Sequence, residues 1–225
     1  MADPTDSRDK IIQAAIEVLR ERGPAQLSGR EVARRAGVSV SLINHHFDGV
    51  EGMMEASLQL FFTELARVEG EWRPRLKSEE HTIAEVLIGA GTVGFRLCRK
   101  WQALLRYNLK RIAEGGGIAA PLPAGVQEAL IAGWTQPIAR RTGLHVQRIR
   151  LRFHSGVAHV ARLATASPKD VRELIGQPHA SDDEVDAALI EHVRDLAHFV
   201  VSEAPASVGD GAEAGDGDRV DRPLR

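Results

Sequence analysis

From residue 8 to residue 202, apolar side chains recur at intervals of three and four, the repeat of a helix that buries one face. No alternating set long enough to build a sheet accompanies them, so the chain is expected to be all-α. Residues 148–153 alternate arginine with apolar side chains at period two, but no partner strand is visible, and helix is the expectation there too. The long helices are placed at residues 51–73, 82–114 with a break near 99–101, 126–142, 146–165 and 182–202. Gly115-Gly116-Gly117, Pro121, Pro123, Gly143 and Ser167-Pro168 read as the turns between them.

The amino-terminal part is built from shorter pieces. Residues 8–22 place Ile12, Ile16 and Leu19 on one face and end at Gly23-Pro24, where glycine accepts a left-handed backbone and proline cannot extend the ladder. Ser28 followed by Glu31 has the spacing of a capping box, with Glu31 reaching back to the cap. A short helix with Val32, Ala33 and Ala36 inside should follow and close at Gly37. Ser39 then caps a second short helix through Phe47.

A capped helix, a glycine bend and a second capped helix have the spacing of a helix-turn-helix, in which the second helix enters the major groove of DNA. If Ile43 and Phe47 point inward, helical rotation turns Ser41 and His45 outward, with Leu42 and Asn44 flanking. Asn44 suits adenine, and Val40 or Leu42 suits a thymine methyl. Arg30, Arg34 and Arg35 against Glu31 make residues 26–47 locally basic, although 29 lysines and arginines against 31 acids leave the chain at −2.

Residues 11 to about 53 resemble the DNA-binding domain of the tetracycline-repressor (TetR) family of bacterial regulators. The resemblance rests on Ser28-Gly29-Arg30-Glu31-Val32-Ala33, Ala36-Gly37-Val38-Ser39, His46-Phe47 and Glu51-Gly52-Met53, in order and at the right distance from the start. It implies DNA contacts from Arg30, Ser39, Val40, Ser41, Asn44, His45 and His46. It further implies a helix-turn-helix domain over residues 1–50 and a helical ligand-binding and dimerisation domain over 51–202. The function implied is a homodimeric repressor, released from a palindromic double-stranded operator by a small-molecule effector. Two positions depart from the family pattern: Asn44 stands where tyrosine is usual, and Val50 where a phosphate-contacting lysine is usual. Losing that lysine removes one counterion-releasing contact. The alternative is a helical ligand- or protein-binding module that has lost strong DNA binding.

In the larger domain, Trp101, Arg106, Tyr107, Asn108 and Trp134 could line a pocket between helices, although plain core packing explains each equally well. Residues 145–163 carry Arg148, Arg150, Arg152 and Arg162 without an acid, whereas 182–202 hold six acids and Arg194, so these helices should lie side by side. Val185, Leu189, Val193, Leu196 and Val200 form a stripe that suits a dimer interface of the last two long helices, or equally the subunit's own core.

No enzyme is expected: nucleophile elbow, phosphate loop and zinc-protease motifs are all missing. The adjacent His45 and His46 diverge by about 100° on a helix and cannot easily share a metal, and no cofactor is expected. The single cysteine, Cys98, forms no disulfide framework and reads as a buried small hydrophobe more readily than as a redox sensor. With no secretory signal and no apolar run near 20 residues, the expected place is the cytoplasm. Residues 203–225, rich in glycine and aspartate, are expected to be a disordered acidic tail.

Overall fold

A computed structural model describes residues 4–23, 26–114 and 126–202. All of its regular structure is helical: α1 (Pro4–Arg22), α2 (Gly29–Ala36), α3 (Val40–Phe47), α4 (Val50–Trp72), a 3₁₀ turn at Arg73–Lys77, α5 (Ile83–Lys100), α6 (Gln102–Glu114), α7 (Val126–Thr142), α8 (Val146–Ala164), α9 (Pro168–Leu174) and α10 (Asp182–Val201). Gly115-Gly116-Gly117, Pro121, Pro123 and the acidic tail lie outside the described residues.

The helix ends follow local chemistry. The Ser28 hydroxyl accepts the Glu31 N–H at 3.2 Å, but the carboxylate of Glu31 does not return to the cap. It binds Arg34 through two hydrogen bonds of 2.6 and 3.0 Å and lies 3.2 Å from Arg22, so the expected capping box is only half formed. Thr82 with Glu85 and Ser181 with Glu184 do complete the reciprocal pattern, at the starts of α5 and α10. The expected break near residues 99–101 falls at Trp101, between α5 and α6. Helix α9 is a correction: Ser167-Pro168 starts a helix instead of marking only a turn. Ser167 accepts the Asp170 N–H, and proline occupies a first-turn position whose N–H needs no intrahelical partner.

Three apolar clusters organise the packing. Ile11, Ile12, Val18, Val32, Ile43, Phe47 and Met53 close the amino-terminal helices around α1. Met54, Leu58, Phe61, Phe95, Trp101, Leu104, Val185, Leu189 and Val193 form the central core where α10 packs along α5. Leu76, Val86, Trp134, Ile138, Ile149 and Val200 form a third at the far end. Helix α4 serves two of them, with Met53 in the first and Met54 in the second.

The stripe on α10 is thus turned inward. Val185, Leu189, Val193 and Val200 are buried within the subunit, and core packing, not an interface, accounts for them. Helices α8 and α10 do pack together. Their opposite charges are nevertheless spent elsewhere among the described residues: Arg150 binds Glu128 of α7, Asp186 binds Arg99 of α5, and Asp182 binds Arg172 of α9. The α8–α10 seam is instead made by Arg152 over the Phe199 ring and by His159 against His192, with ring centroids 5.1 Å apart.

Candidate nucleic-acid interface and ligand cavity

Two caps and one close approach set the pose of α3. Ser39 accepts the Leu42 N–H at 3.1 Å, fixing the start. Gly37 with φ 68° ends α2, and Asp48 with φ 53° ends α3, both in the left-handed conformation that turns the chain sharply. Gly52 lets α4 begin directly against α3: a Cβ there would lie 1.6 Å from the Phe47 carbonyl oxygen.

With Ile43 and Phe47 buried, Ser39, Val40, Ser41, Asn44 and His45 are exposed, and His46 is half-buried with its ring tilted against Phe47. Arg30 is exposed on the first turn of α2. None of the residues expected to face DNA is sealed in the core, and all but His46 are exposed.

The local basic excess is smaller than the sequence suggests. Arg34 is clamped by Glu31, and Arg35 by Glu21 at 2.5 and 2.7 Å with Glu17 at 3.5 Å. These guanidiniums hold the Glu21 and Glu31 carboxyls below the usual carboxylate range. Arg30 makes no ion pair among the described residues. Sequence reasoning missed Arg8, whose guanidinium sits 5.3 Å from the Phe47 ring centroid and brings a second cation to the end of α3. The first N–H groups of α4 have no side-chain cap, because Gly49 supplies none. They are free to receive a phosphate oxygen in place of the missing lysine at Val50.

A second candidate site lies in the larger helical part. A cavity of about 340 Å³ opens between α4, α5, α6, α7, α8 and α10, walled by side chains such as Phe62, Leu65, Leu105, Ile131 and Phe153. Of the five residues expected in a pocket, Asn108 and Trp134 line it. The other three do not. Trp101 is packed on Phe61 and donates its Nε1–H to Glu64 at 3.1 Å, Arg106 donates to the Thr165 carbonyl at 2.7 Å, and Tyr107 lies half-buried off the cavity wall.

The polar groups in the wall are few. Asn108 is 3% exposed, and its Oδ1 accepts no hydrogen bond among the described residues. Glu69, missed by sequence reasoning, also faces the cavity, and burial pushes its carboxyl up to about 7 against the pull of Arg73 and a hydrogen bond from Trp134. Its signal was an acid within an apolar stripe, seven residues after Phe62 and four after Leu65. Cys98 is buried in the same wall and burial pushes its thiol up to about 12, which suits a packed hydrophobe and not a reactive thiolate. No group of three metal-ligating side chains occurs among the described residues. No helix of the described residues is long and apolar enough to cross a membrane.

Comparison with known proteins bears on the amino-terminal helices and on the overall fold. Residues 11–57 match the family described as bacterial regulatory proteins, tetR family. The HTH-type transcriptional regulator BetI 2 of Chromohalobacter salexigens is 32% identical over 72 residues, 32% of this chain and 35% of that protein. The regulator BetI of Vibrio parahaemolyticus is 23% identical over 111 residues, 47% of this chain and 56% of that protein. The chain thus spans about a third to a half of the length of the curated relatives it matches. Over most of its length the fold is that of solved regulators. A transcriptional regulator from Rhodococcus sp. Rha1 superposes with a TM-score of 0.52 at 18% identity, covering 88% of this chain and 99% of that one. The multidrug binding protein EbrR, complexed with imidazole, gives 0.51 at 22% identity, covering 89% and 97%. Residues 11–57 thus match the helix-turn-helix region of the tetR family, and the chain shares the all-helical fold of these solved regulators.

Proposed function

We propose that the chain acts in the cytoplasm as a homodimeric repressor, leaving a palindromic operator when a small molecule occupies the cavity. Residues 1–50 form the DNA-binding domain in this reading, and 51–202 bind ligand and the second subunit. The observation that carries it is the exposure of Val40, Ser41, Asn44 and His45 on a doubly capped α3, together with an exposed Arg30 that makes no ion pair among the described residues. Asn44 reads adenine and Val40 a thymine methyl, while Arg30, Ser39, Ser41, His45 and His46 complete the contacts to bases and phosphates. Pairing through α8 and α10 is supported by Leu151, Val157 and Phe199, three of the five large apolar side chains left exposed among the described residues. Two copies of α3 then enter major grooves about 34–36 Å apart.

Selection of genomic fragments followed by footprinting tests this. An enriched inverted repeat with two-fold protection is the expected result. Asn44→Ala should relax preference at one base pair in each half-site, and Arg30→Ala should lower affinity across sequences and flatten the salt dependence by about one contact per subunit. The pairing of Arg34 and Arg35 with acids, together with Val50, favours the rival reading of a helical module without strong DNA binding. Failure to enrich any repeat at low salt would decide for that rival.

A further inference from the structure

The polar chemistry of the cavity is one-sided. Among its described lining residues, the ionisable groups are Glu69, Cys98 and His154, and no lysine or arginine reaches the wall. Arg73 acts on Glu69 from outside that lining. Asn108 adds a buried carbonyl oxygen with no donor to satisfy it among the described residues. A ligand carboxylate would therefore meet Glu69 and an amide oxygen without a lysine or arginine to receive it. A neutral alcohol could satisfy Asn108 but would make no charge-assisted contact with Glu69. At about 30 Å³ for each water-sized group, 340 Å³ holds an apolar body of about ten such groups.

We propose that the cavity takes an elongated apolar molecule ending in a protonated amine, with the Glu69 carboxylate as counter-charge and Asn108 Oδ1 accepting one ammonium N–H. The inference rests on the cavity being the effector site. It adds to that reading a charge sign, a donor requirement and two named residues. Binding of such a cation keeps Glu69 ionised where burial otherwise favours its proton. Trp134, whose indole pulls the Glu69 carboxyl down against burial, stacks on Phe153 in the same wall, with ring centroids 5.8 Å apart.

The test is calorimetric titration of the full chain at pH 8 with four probes of one length: decylamine, decyltrimethylammonium, decanol and decanoate. Decylamine should bind at least about tenfold more tightly than decanol or decanoate. Glu69→Gln should reduce decylamine to the affinity of decanol while leaving decanol unchanged. Asn108→Leu should weaken decylamine and decanol together and spare decyltrimethylammonium, which has no N–H to lose. Circular dichroism of both variants separates a lost contact from a lost fold. Decanol or decanoate binding as tightly as decylamine, or a preference for the amine that survives Glu69→Gln, would overturn the assignment while keeping the cavity as a ligand site. If no probe binds saturably, both the assignment and the effector site fall.

Discussion

Glu69→Gln should change the pH dependence of stability with a sign fixed by the buried position of this side chain. In the folded chain, burial pushes its carboxyl to about 7 from an ordinary 4.5. The folded state therefore holds the proton more tightly than the unfolded state. The associated stability is fully present below about pH 4.5 and is lost as pH rises through about 7. A difference of about 2.5 pH units corresponds to a ceiling of about 3.4 kcal/mol. Water still reaches this half-buried carboxyl, which reduces the effect to about 1–2 kcal/mol. Urea unfolding of wild type and Glu69→Gln at fixed protein concentration, from pH 5 to pH 9, measures it. Subtracting the two curves cancels His159, whose lowered basicity acts in the opposite direction, and the paired carboxylates Glu21, Glu31 and Glu85. The variant should gain on wild type as pH rises from 5 to 8, by about 0.5–1 M urea at a slope of about 2 kcal/mol/M. A flat difference, or one favouring wild type at high pH, would refute the argument that burial dominates over Arg73 and Trp134.

Gly52→Ala places a methyl 1.6 Å from the Phe47 carbonyl oxygen, so the α3–α4 junction must open. A loss of about 1–3 kcal/mol in thermal or urea unfolding is expected, together with weaker operator binding, whereas Gly70→Ala, with open space around it, should be neutral or slightly stabilising. Leu151→Arg changes a side chain 72% exposed in the single subunit. It should leave helix content intact and shift the species seen by light scattering from dimer to monomer, and an unchanged dimer would remove α8 from the proposed interface.

Which parts of this molecule were legible in sequence follows from the range of the forces involved. The break at Trp101, the inward Ile43 and Phe47 and the outward Ser41, Asn44 and His45 are decided within one or two helical turns, and the pattern of residues contains them. The stripe from Val185 to Val200 was legible as a stripe, but whether it meets α5 or a second subunit depends on elements far away in sequence. Arg35 illustrates the same limit. Its partners Glu17 and Glu21 lie on another helix, so counting charges within residues 26–47 overstated the free positive charge. Helix α9 was hidden because Ser-Pro begins helices as readily as it makes turns, and only Asp170 in the following turn distinguishes them. The cavity depends on close helix approach. Gly89 has no room for a Cβ against Trp72, and Gly91 meets Val193. Those contacts draw α4, α5 and α10 into the frame around Glu69.

Under the proposed function, that frame is also the physical route from ligand to head. Helix α4 spans about 34 Å at 1.5 Å per residue, and it carries Glu69, Phe61, Phe62 and Leu65 in the cavity, Met54 in the central core and Met53 in the head core. Its first turn abuts the last carbonyl of α3 at Gly52, so α4 cannot slide or tilt there without moving the recognition helix. Helix α6, which brings Asn108 to the same cavity, packs against α1. A molecule held between Glu69 and Asn108 therefore touches both helices that support the head. Under the proposed function, release of DNA requires that the molecule prefer an arrangement in which those two helices sit differently, since equal affinity for both arrangements shifts nothing. Moving the population from about 1:99 to about 99:1 demands a preference of about ten-thousand-fold. An apolar chain spread along both helices supplies contacts that change with their spacing. In the proposed mechanism, the hydrogen bond and charge contact from Glu69 on α4 and Asn108 on α6 would be the part of that preference that depends on how the two helices are spaced.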